Sequence, residues 1–195
     1  MSKKCYRFFG GLLNTQEKWL NKMSEKGYRL VRTGKLLYEF EKCKPDEVTY
    51  CVEFIGEKSK ESSIDYANFL EDMGYKVFFK NINLSYSVAK VRWRPWAERG
   101  GRIATNTTTF NREILIVEKA NDGKPFELHT SYDDKEKYYR NLRNPWLFLL
   151  LMFALFAVTK QSIIFGIFAL VSVIPGSIYQ IQIMKIRKEA KTQEW

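Results

Sequence analysis

Apolar residues follow two different patterns along this chain. Up to about residue 144 they come in short, broken, periodic runs; beyond it they run together almost without interruption. In the first part a period of two marks strands. Residues 36–42 alternate, with Leu36, Tyr38 and Phe40 on one face. Residues 48–55 alternate with Val48, Tyr50, Val52 and Phe54 on one face, and 5–9 and 75–82 read as two further strands. A helical stripe of Trp19, Leu20 and Met23 follows Asn14-Thr-Gln-Glu17, a near match to a capping box with Asn14 as the cap. A second stripe, Tyr66, Ala67, Leu70 and Met73, can be capped by Ser62 or Ser63.

The two helices end alike. Leu20 to Gly27-Tyr28-Arg-Leu-Val31 repeats as Leu70 to Gly74-Tyr75-Lys-Val77. Each reads as a helix closed by a glycine in the left-handed conformation, then a strand opening with tyrosine. The resulting order, β-α-β-β-α-β, is the ferredoxin-like arrangement, with both helices on one face of an antiparallel sheet. A five-residue loop at 43–47 would pair Phe40 with Tyr50, Tyr38 with Val52 and Leu36 with Phe54. A slip of one residue would turn the whole aromatic set outward.

Extra strands are expected at 88–94, 112–119 and 126–130, the last after the turn Asn121-Asp-Gly123. Residues 132–143 read as a helix with Asp133 and Asp134 in its first turn and Arg140 and Arg143 in its last, a polarity that suits the helix dipole.

The continuous apolar stretch has a length problem. Residues 145–184 as one helix would reach about 60 Å at ~1.5 Å per residue, twice a hydrocarbon core of about 30 Å, with Lys160 at its middle. Two membrane-spanning helices with the turn at Thr159–Ser162 resolve both difficulties. Trp146 and Tyr179 then fall near one interface, where amphipathic rings are favoured. Pro145 suits a first helical turn or a kink, and Pro175-Gly176 should kink or loosen the second helix. Lys135, Lys137, Arg140 and Arg143 precede the hairpin and Lys185, Arg187, Lys188 and Lys191 follow it, against Lys160 alone in the turn. That bias places both termini in the cytoplasm of a multi-pass membrane protein. The N-terminal apolar stretch is too short for a signal peptide.

The expected organisation is a ferredoxin-like α+β core at 1–84, added strands and a basic loop at 85–131, and a juxtamembrane helix at 132–144. A transmembrane hairpin at 145–184 and a basic cytoplasmic tail at 185–195 complete it.

Composition changes this picture little. The 195 residues are 45% hydrophobic and 28% charged with a net charge of +10, which excludes a disordered chain, a collagen and a disulfide scaffold. Cys5, Cys43 and Cys51 are odd in number and lack C-x-x-C spacing, as expected of free thiols in a reducing compartment.

Certain residues, in this order, resemble a known family. They are Tyr6-Arg-Phe-Phe9; Glu17-Lys-Trp-Leu20 with Met23 and Gly27-Tyr28; Tyr38-Glu-Phe40; Leu70 with Met73-Gly-Tyr75; Phe126-Glu-Leu-His129-Thr-Ser; and Asp134-Lys-Glu-Lys-Tyr138. The chain resembles the bacterial membrane-anchored proteins grouped as domain of unknown function 2812. Two departures are Tyr75, where that family favours tryptophan, and the insert around 95–111. The resemblance implies a setting beside PadR-like transcriptional regulators, and the family has no agreed biochemical activity.

The candidate binding surface is the basic strip Lys90, Arg92, Arg94, Arg99 and Arg102, interleaved with Trp93 and Trp96. Lys90, Arg92 and Arg94 would share one strand face and could meet anionic headgroups, phosphate or an acidic partner. Gly100-Gly101 and 105–109 beside them read as a loop. Arg143, Trp146, Tyr179, Lys185 and Arg187 are the expected membrane anchors. His129 is the only histidine, and it reads as structural, as do Asp133-Asp134 at their helix start. Cys51 reads as a buried, inert thiol, Gly10-Gly11 as a strand-to-helix turn, and Glu39 with Glu41 as solvated charge. No catalytic residue, metal site or cofactor is expected, and enzymatic function is disfavoured. The favoured function is a membrane-anchored regulatory module that binds a cytoplasmic protein, with membrane lipid around its two spans. The alternative is a tethered small-molecule sensor that could form a homodimer. Nucleic-acid binding is disfavoured because the RRM-type K/R-G-F/Y pattern is missing.

Overall fold

The structure, a computed structural model, describes residues 2–56, 58, 60–82, 86–88, 91–93, 103–104, 113–126, 128 and 132–193. The chain forms an α+β unit and a helical hairpin.

The α+β unit is built from two copies of one motif. The first is β1 (Lys3–Tyr6), α1 (Leu13–Glu25), β2 (Tyr28–Thr33) and β3 (Leu37–Lys42), with strand order β1-β3-β2. The second is β4 (Val48–Phe54), α2 (Lys60–Asp72) and β5 (Lys76–Lys80), closed by a late strand, β9 (Ile114–Ala120), in the order β4-β9-β5. In each copy the third strand lies between the first two and antiparallel to both. The Gly27-Tyr28 and Gly74-Tyr75 repeat marks the same joint in both. Gly27 (φ +74°) and Gly74 (φ +85°) adopt the left-handed conformation that ends each helix.

This topology corrects the expected single sheet. The stretch opening at Tyr28 is a full strand, and β3 pairs with β1 and β2, with Leu30 opposite Phe40. The expected partners of Phe40 and Tyr38 belong to the other sheet: Tyr50 faces Glu118 and Val52 faces Ile116. Alternation correctly assigns Tyr38 and Phe40, and Val48, Tyr50, Val52 and Phe54, to buried faces, although Leu36 is exposed. It carries no information on which strand lies alongside. Residues 88–94 are not one strand either: β6 (Tyr86–Val88) and β7 (Val91–Trp93) form a hairpin joined by β8 (Ile103–Ala104) in a third small sheet. Residues 126 and 128 lie outside any strand; Phe126 and Leu128 pack on the core of Ile55, Leu70, Leu115 and Val117.

The central strand β9 is buried on both faces, so it reads Ile-Leu-Ile-Val from Ile114 to Val117, all buried. One face carries Leu115 and Val117, on which Leu70 and Tyr66 of α2 pack. The free edge of β4 is covered by α1 in a specific way. Glu17, Asn21 and Ser24 form one polar stripe at helical spacing. Asn21 accepts from the Tyr50 N–H (2.7 Å) and donates to the Tyr50 carbonyl (2.9 Å). Glu17 accepts the Val52 N–H (2.9 Å), and the Ser24 hydroxyl donates to the Val48 carbonyl. Backbone groups that would otherwise template another strand are thereby satisfied. Glu17 is therefore no capping-box residue. The helix begins at Leu13, so Asn14 lies inside it, and Leu12 at the cap provides no side-chain bond. Ser62 and Ser63 likewise lie inside α2.

The hairpin consists of α3 (Tyr132–Thr159) and α4 (Ile163–Gln193), turning at Lys160 and Gln161, where Gln161 has φ +47°. Both are long and apolar enough to cross a membrane. The segments expected as a juxtamembrane helix and a first span form one continuous helix, so Pro145 lies well inside it rather than in a first turn. Pro175 also lies within a helix. The buried positions of α4 are Ala169, Ser172, Gly176, Tyr179, Ile183 and Ile186, a strict 3-4 spacing. Small residues toward the turn let the helices approach: a Cβ at Gly176 would lie 3.8 Å from the Trp146 Cβ. Nearer the turn, Phe153 packs on Phe165 and Phe168, with ring centroids 6.4 and 5.5 Å apart.

Candidate functional site

Of the basic strip, Arg92 lies in β7, opposite Ser87 and Ala104. Lys90, Arg94, Trp96, Arg99 and Arg102 lie outside the described residues, as do residues 100–101, 105–109 and His129. The joint face expected of Lys90, Arg92 and Arg94 thus falls largely outside the description.

The expected membrane anchors divide into two sets. Lys185 is exposed and Trp146 half-buried. Tyr179 is buried and packs on Tyr139 of α3, ring centroids 6.4 Å apart. Arg143 donates to Gln180 (2.7 Å), and Arg187 pairs with Glu136 (2.7 Å), which also holds Arg140 one turn on. Two expected anchors therefore fasten the ends of the two helices together. Asp133 and Asp134 occupy the first turn of α3, as their helix-start reading requires.

Within the α+β unit, chemistry concentrates where the two motifs meet. Glu118 of β9, its side chain 1% exposed, is held by Arg29 of β2 through Nη2 and Nε, both at 2.7 Å. The Tyr50 hydroxyl donates to the other carboxylate oxygen (2.9 Å) and accepts the Leu30 N–H (2.7 Å). The hydrogen bond to Glu118 raises the pKa of Arg29, and burial pushes the Tyr50 phenol up. This network joins the two sheets and leaves no reactive group exposed.

A second cluster surrounds a small cavity of about 10 Å³ between β1, the start of α1 and the end of β5. Arg7, Gln16, Tyr38, Lys80 and Asn81 are the described residues with polar or charged side chains on its wall. The Lys80 ammonium donates to the carbonyls of Gly34 (2.6 Å) and Lys35 (2.8 Å) and lies 4.2 Å from the centre of the Tyr38 ring. Burial pulls its pKa down to about 8. Arg7 lies over the rings of Phe9 and Trp19, 5.4 and 5.3 Å from their centres, and Trp19 meets Tyr38 edge-on at 5.0 Å. Gly10 and Gly11, at φ +58° and +76°, turn the chain from β1 into α1, as their sequence predicts. Lys80 was legible only as a charged residue on a strand; no local signal shows that β5 would lead it into a core.

Cys5, Cys43 and Cys51 are free thiols and Cys51 is buried, as expected. Glu39 is paired at 3.7 Å with the exposed Lys4. Among the described residues no cluster of three His, Cys, Asp or Glu could hold a metal.

The fold and its sites define an α+β domain built from a doubled β-α-β-β motif and carrying a hairpin of two apolar helices. The family described as a protein of unknown function, DUF2812, matches residues 13–151, from the start of α1 into the first apolar helix. The chain belongs to that family. No curated protein and no solved structure matches it.

Proposed function

We propose that this protein is a membrane-anchored module whose α+β unit binds a partner protein at the inner face of the membrane. The observation that carries the anchoring is the apolar outer surface of the hairpin. Only 6% of the apolar window of the first helix and 22% of that of the second is buried. Leu147, Phe148, Leu151, Leu155, Ile163, Ile167 and Leu170 are among its exposed residues. Monomeric soluble proteins rarely expose contiguous apolar patches larger than a few hundred Å². Cations crowd the end of the hairpin near residues 143 and 185–188, against Lys160 at the turn, a bias that favours cytoplasmic termini.

Partner binding is supported by the open side of β1, which pairs with β3 alone among the described strands. Tyr6 is 75% exposed, Phe8 57% and Leu36 42%, and the Arg7 N–H to Leu36 carbonyl bond (2.9 Å) holds them at one end of the sheet. An edge strand beside exposed aromatics suits addition of a partner's strand. By family resemblance, a PadR-like regulator is the partner to try first.

Two measurements test this reading. A lone cysteine introduced by Lys160→Cys, with the native thiols removed, should react with an impermeant maleimide from outside intact cells, whereas native Cys5 should not. Protein released by carbonate washing refutes the anchor. A photo-crosslinking amino acid at Phe8 should give one discrete protein adduct in cells; no adduct from folded, membrane-inserted protein refutes partner binding there.

A further inference from the structure

The cavity beside Lys80 combines features that the partner-binding reading does not use. The Gln16 side-chain nitrogen and the Tyr38 hydroxyl make no hydrogen bond within the protein, yet Gln16 is 4% exposed and Tyr38 not at all. Both line the cavity. A buried polar group left without a partner costs about 1–3 kcal/mol, so two on one wall require an explanation. Arg7 and Lys80 add positive charge to that wall, and among the described residues no carboxylate lines it. Glu113, which precedes the wall residue Ile114, accepts the Ile82 N–H (2.7 Å). The start of α1 also reaches the cavity through Gly11 and Leu13. Its first turn carries no acidic side chain, and a helix N-terminus favours negative charge.

We propose that this cavity binds an anion, taking either a chloride-sized ion or one terminal oxygen of a carboxylate or phosphoryl group inserted from its mouth. Gln16 and Tyr38 donate to the anion, while Lys80 and Arg7 balance its charge. A volume of about 10 Å³ holds roughly one water-sized occupant, so a whole oxyanion cannot enter. A water in the same place must direct two protons of its own, and the charged groups on the wall, Arg7 and Lys80, are both donors. An anion accepts from every one of these groups and supplies the negative charge that a buried lysine lacks. The lowered pKa of Lys80 is consistent with this need.

The test uses the full chain in detergent micelles at pH 7. Thermal unfolding is followed while sodium chloride, sodium acetate or sodium phosphate is titrated in separate arms. The same titrations are run on Tyr38→Phe and Gln16→Glu. General ionic-strength effects are common to all three proteins, so a difference between them reports the cavity. At least one salt should raise the unfolding temperature of the wild type saturably. Tyr38→Phe should weaken that effect about tenfold, by loss of one hydrogen bond to a charged acceptor. Gln16→Glu should abolish it, because it places a carboxylate where the anion would sit. A chloride response identifies a whole ion; an acetate or phosphate response without chloride identifies an inserted oxygen. Tyr38→Phe removes only a hydroxyl that makes no bond, so it keeps the fold and the test remains decisive. Responses of equal size in wild type and both variants, or none to any salt, overturn the proposal.

Discussion

Replacing Arg29 by methionine tests whether the two sheets are joined through one buried carboxylate. The substitution keeps the length of the apolar stem and removes the two 2.7 Å contacts to Glu118. Glu118, 1% exposed, would be left with the Tyr50 hydroxyl at 2.9 Å. Breaking a fully buried pair by removing one partner costs about 3–5 kcal/mol. Arg29 keeps 35% of its side chain exposed, so water screens part of the loss. The expected cost is about 2–3 kcal/mol, discounted from the buried case. At about 3–4 °C per kcal/mol for a unit of this size, the transition of the α+β unit should fall by roughly 6–12 °C. Near-UV circular dichroism of the full chain in mild detergent reads it. The double variant Arg29→Met/Glu118→Gln should recover part of the loss, because the neutral amide removes the uncompensated buried charge and its oxygen still accepts from the Tyr50 hydroxyl. A single variant within about 0.5 kcal/mol of wild type, the usual range for surface changes, refutes the reasoning. So does a double variant less stable than Arg29→Met.

Lys80 should give the protein a rising stability in alkali. Its pKa is about 8 in the fold against an ordinary 10.5, so the unfolded chain binds more protons between those values. Stability should therefore rise from about pH 8 to pH 10.5, by about 3 kcal/mol at most, and Lys80→Met should flatten that slope in denaturant titrations. Asn21→Ala should cost about 2 kcal/mol for two lost backbone contacts, and it should raise light scattering on storage because the β4 edge is opened. Gly27→Ala should destabilise more than Gly74→Ala. Both place alanine at a positive φ, worth about 1–2 kcal/mol, but only at Gly27 does the new Cβ meet a carbonyl oxygen, that of Cys43, at 2.9 Å. Equal melting temperatures for the two glycine variants would contradict that difference.

Local rules settled what is local. The hydrophobic run and the lysine at 160 determined two helices and the place of their turn, because length and charge in a bilayer depend on nothing further along the chain. Gly27 and Gly74 determined where α1 and α2 end, because a left-handed residue is a property of one position. Period-two alternation determined that Tyr38, Phe40, Tyr50 and Val52 face inward. The cations near the open end of the hairpin were legible as charge; their pairing across it, Arg143 with Gln180 and Arg187 with Glu136, was not.

Only the tertiary structure decided which strands are neighbours. The expected hairpin of β3 on β4 had good alternation and a suitable loop, and it does not form, because β3 is claimed by β1 and β2 and β4 by a strand more than fifty residues away. Side-chain patterns record the face of a strand, whereas pairing is a contact between backbones that all strands share. The same holds for the groups with chemical interest. Glu17, Asn21 and Ser24 read as an ordinary polar helix face until β4 lies against them, and Lys80 reads as solvated until the β2–β3 turn supplies two carbonyls. A polar residue's role depends on what surrounds it, and here those surroundings come from distant parts of the chain.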